Sequence, residues 1–168
     1  MKVNIFKAYD IRGVYPRELN EEAAFKIGQA FVNYTKAKKI VVGRDMRISS
    51  SALYAYLVKG IMSQGADVYN IGEVPVELMY FATVHFDYDA GIIITASHNP
   101  KEYNGFKMIK RKSKGIFDVA RGRELIDLVS QDFKNTETLG EIKELNIWQE
   151  YISHIFSIVS PQKLILPK

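Results

Sequence analysis

The sequence predicts an α/β fold in three layers: a mixed, mostly parallel sheet with helices on both faces. Three observations carry this. KKIVVG at 38–43 reads as a buried strand, ADVYNIG at 66–72 as another and AGIIIT at 90–95 as a third, in a fold whose central strands are buried on both faces. Segments with helical spacing lie between them, the order expected of parallel strands joined by crossovers. The chain of 168 residues is 47% hydrophobic and 25% charged, enough for one ordinary globular core.

Taken in order, Asn20 before Glu21 and Glu22 starts a helix whose Ala24, Ile27, Phe31 and Tyr34 share a face. After the 38–43 strand, Ser49 to Ser51 cap a second helix with Leu53, Tyr56, Leu57 and Ile61 inward and Gly65 at its stop. Pro75 suits the first turn of a third helix, with Val76, Met79, Tyr80, Thr83 and Val84 on one face. The 90–95 strand leads to a loop at 96–104, then to GFKMI, a polar turn KRKSKG and a short IF, a hairpin leading into a helix near 119–130. The last helix carries Trp148, Tyr151, Ile152, Ile155, Phe156 and Val159 as a stripe, which reads as core packing. Beyond Pro161 the segment KLILPK resembles the start of another strand, so residues 1–160 read as one domain and 161–168 as a linker into a second.

Composition removes whole classes of chemistry. Without cysteine there are no disulfides, thiolate nucleophiles or cysteine-ligated metals. His85, His98 and His154 lack the short spacings of a helical zinc motif. There is no apolar leader and no run of about 18 apolar residues, so a soluble cytoplasmic protein without a membrane is expected. A net charge of +4 leaves room for an anionic partner. The basic run 101–114 has six cations against Glu102 alone, but its flanking apolar residues suit a core rather than base stacking. A solvated hairpin tip is therefore expected, and no nucleic acid partner.

Chemistry concentrates in AGIIITASHNPKEYNGFKMIK, residues 90–110. Ligands gather at the carboxyl ends of strands in open α/β sheets, and Ser97, His98 and Asn99 follow such an end. Pro100 is expected to hold His98 and Asn99 extended, and Asn104-Gly105 to supply positive φ angles for a turn before Lys107. Ser97 reads as a nucleophile or phosphate carrier, or as part of a Ser or Asx turn whose side chains merely satisfy the backbone. The G-x-S-x-G elbow and both glycine-rich phosphate loops are absent, so hydrolase and nucleotide-binding readings lose support.

Together, TASHNPKEYNGFK, FKAYDIRG at 6–13 and VGRDMRISS at 42–50 resemble the α-D-phosphohexomutases, closest to the phosphomannomutase/phosphoglucomutase group. The resemblance spans the chain as the first of four domains. It implies that Ser97 is a phosphoserine exchanging its phosphoryl group with a hexose phosphate, mannose or glucose, through a hexose 1,6-bisphosphate. It also implies that the phosphate on Ser97 binds Mg²⁺, the other ligands lying outside this chain. Arg12 and Lys107 match positions beside the phosphate, Lys107 assisting proton transfer. Tyr9, His98 and Asn99 match substrate-facing or loop-lining positions, and Arg44, Asp45, Arg47 and Asn104 a supporting set. The DGDGDR-like metal loop and the later sugar and phosphate loops of the family do not occur in the sequence. A fragment inactive by itself, partnered by the remaining domains, is the expectation. The alternative is a phosphosugar-binding or scaffolding domain without turnover.

Overall fold

The computed structural model describes residues 3–159, so the expected linker 161–168 lies outside the described residues. Seven strands form one sheet: β1 (Ile11–Val14), β2 (Lys39–Arg44), β3 (Asp67–Glu73), β4 (Ala90–Ile94), β5 (Tyr103–Ser113), β6 (Ile116–Val119) and β7 (Ile142–Glu144). The order is β1-β5-β4-β2-β3-β7, with β6 beside β5. β4, β2, β3 and β7 run parallel, whereas β5 is antiparallel to β4, β1 and β6.

The alternation of side chains along the strands builds two cores. Ile40 and Val42 of β2, Ile92 and Ile94 of β4, and Phe106 and Met108 of β5 face α1 (Glu21–Thr35) and α2 (Ser50–Met62). Val41, Ile93 and Ile109 face the other way, onto Leu78, Met79 and Ala82 of α3 (Val76–His85). β2 and β4 are thus apolar on both faces because helices cover both. A 3₁₀ turn (Gly122–Leu125) and the short α4 (Ile126–Val129) add Leu125 and Val129 to the first core.

The expected start of α1 is the observed one: Asn20 is its N-cap, and the Ala23 amide donates to the Asn20 side chain at 2.9 Å. α1 and α2 approach backbone to backbone, since a Cβ on Gly28 would meet the Leu57 carbonyl and one on Gly60 the Phe25 carbonyl.

Several elements differ from expectation. Strands β1 and β7 were not expected, being short and carrying no apolar run. In α2, Tyr56 is turned outward while Leu53, Leu57 and Ile61 are buried, because position 56 lies about 100° from 57 around the helix. The buried face of α3 is Leu78, Met79, Ala82 and Thr83, leaving Val84 outside; nearly every residue there is apolar, so periodicity could not choose the face. Pro75 is the N-cap, one residue before that helix. Most of KRKSKG is strand rather than turn: β5 continues to Ser113, and only Lys114 and Gly115 turn. The segment near 119–130 is strand end, 3₁₀ turn and one turn of helix.

The last helix, α5 (Trp148–Ile158), forms where expected, but it has no buried residue. Ile147 before it is buried, and Tyr151 and His154 lie near Phe81 of α3 with ring centroids 5.2 Å away in each case. Trp148, Ile152 and Phe156 are 46–57% exposed, so the stripe is not core among the described residues; the sheet face it would need is already occupied by α3. No helix among the described residues is long and apolar enough to cross a membrane.

Candidate functional site

β4 is the central strand that brings chemistry to the surface. Its five residues are buried, Thr95 is 7% exposed, and Ser97 two residues later is exposed. The Ser97 backbone is left-handed, with φ 54°. That conformation costs a non-glycine residue on the order of 1–3 kcal/mol and persists only where the surroundings hold it. The Ser97 amide donates to Thr95 Oγ1 at 2.9 Å, and the Asn99 amide donates to the Ala96 carbonyl at 3.1 Å. Ser97 and His98 are therefore the middle of a turn. The expected extended His98-Asn99 is overridden by this bond.

Arg47 holds the other side of the loop. Its Nη1 donates to the carbonyls of Pro100 (2.8 Å) and Tyr103 (3.1 Å), and its Nη2 to those of Ser97 (3.0 Å) and Asn99 (2.7 Å). Its Nε donates to Asp45 Oδ2 at 3.2 Å. Asp45 Oδ1 accepts from the Arg47 amide at 3.1 Å and the Ser50 hydroxyl at 2.6 Å. Behind them the buried Asn104 side chain donates to the hydroxyls of Ser49 (2.8 Å) and Ser50 (3.0 Å). Asn104 and Gly105 are extended strand, not the expected positive-φ turn. Gly105 is required for space, since a Cβ there would strike the Ile11 carbonyl of β1.

Arg12 reaches the loop from β1. Its Nη1 donates to the Ala96 carbonyl, and its Nε pairs with Asp10 at 2.8 Å. Arg12 is registered against Gly105, and Lys107 is two residues further along β5, so both project to the same face. Among the described residues no hydrogen bond or ion pair engages the Lys107 ammonium. Tyr9 is 69% exposed, and His98 is also exposed. A cleft of about 600 Å³ separates the two loops, with Ser97 and Asn99 on one wall and Asp45 to Ile48 on the other. Tyr9, Arg12, His98 and Lys107 lie outside that cleft.

Arg44 is not brought to the loop. It stacks over Tyr54 at 5.2 Å and pairs with Glu73 at 3.5 Å, while burial raises the Tyr54 hydroxyl to about 12. Sequence reasoning passed over Thr95, Asp10 and Ser50. A signal was available for the aspartates: Asp10-Ile11-Arg12 and Asp45-Met46-Arg47 repeat one Asp-x-Arg pattern, and each aspartate pairs with its arginine. No group of three or more His, Asp or Glu side chains among the described residues is arranged to hold a metal ion.

This α/β/α arrangement has a counterpart among known families: the description "Phosphoglucomutase/phosphomannomutase, alpha/beta/alpha domain I" matches residues 3–127. The chain belongs to the phosphoglucomutase/phosphomannomutase family. A phosphomannomutase of Vibrio cholerae serotype O1 is 38% identical over 169 residues, covering 97% of this chain and 36% of the relative. One from Klebsiella pneumoniae is 40% identical over 154 residues, covering 90% of this chain and 98% of the relative. A solved family protein from Burkholderia thailandensis superposes with a TM-score of 0.80 at 32% identity, over 94% of this chain and 36% of that one. The chain thus spans little more than a third of the Vibrio and Burkholderia proteins.

Proposed function

We propose that this chain is the phosphoryl-carrying domain of a cytoplasmic phosphohexomutase that interconverts hexose 1-phosphate and hexose 6-phosphate, of mannose or glucose. Ser97 is the carrier. The observation that supports it is the exposed Ser97 at the end of the central strand, with its backbone fixed on both sides by Thr95 and Arg47. In the forward transfer the bond from phosphorus to Ser97 Oγ breaks as a bond to a sugar hydroxyl oxygen forms, and the hydroxyl proton leaves with help from Lys107. The product is a hexose 1,6-bisphosphate, which turns over and returns its other phosphoryl group to Ser97.

Phosphoryl transfer asks a protein chiefly for positioning and charge stabilisation. A phosphoserine carries about −1.5 to −2 charges at neutral pH, and Arg12 and Lys107 supply cations on the adjoining strands. The exposed Tyr9 and His98 and the half-buried Asn99 form the surroundings that meet the sugar. Mg²⁺ would supply further charge neutralisation; the described residues contain no carboxylate cluster for it, and the phosphate on Ser97 would be a ligand to it. Its other ligands, like the contacts that choose between sugars, come from the remaining domains of a longer enzyme.

The test is phosphopeptide mapping after incubation with glucose 1,6-bisphosphate and Mg²⁺. Label is expected on Ser97 and is lost in Ser97→Ala, whose thermal melt stays unchanged because an exposed loop side chain holds no core volume. Label that persists in Ser97→Ala refutes the assignment. The chain alone is expected not to sustain conversion of mannose 1-phosphate or glucose 1-phosphate to the 6-phosphate.

A further inference from the structure

We infer that Arg47 is a positioning residue: a planar brace, aimed by Asp45, that sets the carbonyls of the Ser97 loop and keeps Ser97 left-handed before any ligand arrives. The kinetic part of this inference rests on Ser97 being the phosphate carrier.

A guanidinium has five N–H donors in one plane. In Arg47 all five are engaged: one by Asp45 and four by the carbonyls of Ser97, Asn99, Pro100 and Tyr103. None is left for a phosphate oxygen. Although it is a cation bonded to the Ser97 carbonyl, Arg47 therefore acts through the backbone rather than as an anion ligand. Arg12 differs in kind, because one of its Nη groups has no partner among the described residues.

The four carbonyls lie within seven residues of chain, on a loop with only two backbone hydrogen bonds of its own, Asn99 to Ala96 and Tyr103 to Pro100. Arg47 thus carries most of the loop's polar closure. Its aim is set from two directions. The Asp45 amide donates to the Ile94 carbonyl at the end of β4, and the Asp45 carboxylate takes the Ser50 hydroxyl, itself held by Asn104 of β5. The brace is tied to both strands that the loop connects. A lysine has three tetrahedral donors and no fork, so it cannot reproduce this pattern even though it keeps the charge.

The experiment compares wild type with Arg47→Lys, Arg47→Ala and the milder Asp45→Asn in this chain. Amide hydrogen exchange at Ser97, Asn99 and Tyr103 is expected to quicken by about tenfold or more in both Arg47 variants, with the amides of β2 and β4 unchanged. Millimolar guanidinium should slow it again in Arg47→Ala but not in Arg47→Lys, where the ammonium occupies the space. The maximal rate of Ser97 phosphorylation by glucose 1,6-bisphosphate should fall about a hundredfold in Arg47→Lys, with the half-saturating concentration within about twofold. Wild-type exchange rates in Arg47→Lys overturn the inference. So does a variant that weakens donor binding while keeping the maximal rate, because that is the signature of a direct phosphate ligand. If wild type takes no phosphate on Ser97, the carrier reading fails, and the exchange data still decide for or against the brace.

Discussion

Gly105→Ala tests how the sheet positions the loop. Gly105 sits in β5 between β1 and the end of β4, and an added Cβ would overlap the Ile11 carbonyl oxygen while lying 3.1 Å from the Ile11 carbonyl carbon and 3.2 Å from the Thr95 oxygen. All three atoms are backbone, so no side chain can rotate away. Relief requires β1 to move off β5, and β1 is an edge strand of four registered pairs whose Ile11 is wholly buried. Overpacking of this kind costs roughly 1–3 kcal/mol. Taking about 2 kcal/mol and about 3 °C per kcal/mol for a domain of this size, the melting temperature should fall by about 6 °C. Because Arg12 is registered against Gly105, its reach to the Ala96 carbonyl should loosen too. The assay is a thermal melt followed by circular dichroism, with hydrogen exchange at residues 11–14. A melt within about 1 °C of wild type, with those amides still protected, would refute the steric argument.

Two further outcomes follow from local chemistry. Asn20→Ala removes the side-chain acceptor of the Ala23 amide and should cost about 1 kcal/mol, read as a fall of about 3 °C in the melting temperature; an unchanged melt would show that water replaces the cap. The Tyr34 hydroxyl donates to Glu124, and this bond, ahead of the Arg121 amide, holds the Glu124 carboxyl below its ordinary value of 4.5. A depressed folded value means that the stabilisation is present above pH 4.5 and is lost as pH falls through the lower folded value. Urea denaturation of wild type and Tyr34→Phe should therefore differ most near neutrality and converge in acid, and a gap independent of pH would exclude this linkage.

The parts of the fold that were legible in the sequence are those governed by local rules. The cap at Asn20, the buried runs at 38–43 and 90–95, and the stop near Gly65 each follow from residues within a few positions of one another. Strands β1 and β7 were hidden because a strand of three or four residues is defined by its partner rather than by its own pattern. The face of α3 was hidden because it is apolar almost all round. At the site, Ser97, Arg12, Asp45 and Arg47 were marked by motif, yet the division of labour between the two arginines depended on counting donors against acceptors. The left-handed Ser97 was missed because the permissive pair Asn104-Gly105 drew the turn to itself, although that glycine serves close packing. The exposed face of α5 was also beyond reach, since periodicity defines a stripe without saying what covers it.

The loop that presents Ser97 also bears on how the chain folds. It joins two neighbouring antiparallel strands, so the β4–β5 hairpin is local in sequence and closes at small entropic cost. The groups that shape it are not local: Arg12 binds across 84 positions, Arg47 across 50 to 56, and Asn104 meets Ser49 and Ser50 across 55 and 54. Contacts of such separation carry a larger loop-closure cost and require β1, β2 and α2 to be in place on the sheet. The hairpin can therefore exist before the site does, and a competent Ser97 marks completion of the whole domain rather than of the strand that carries it.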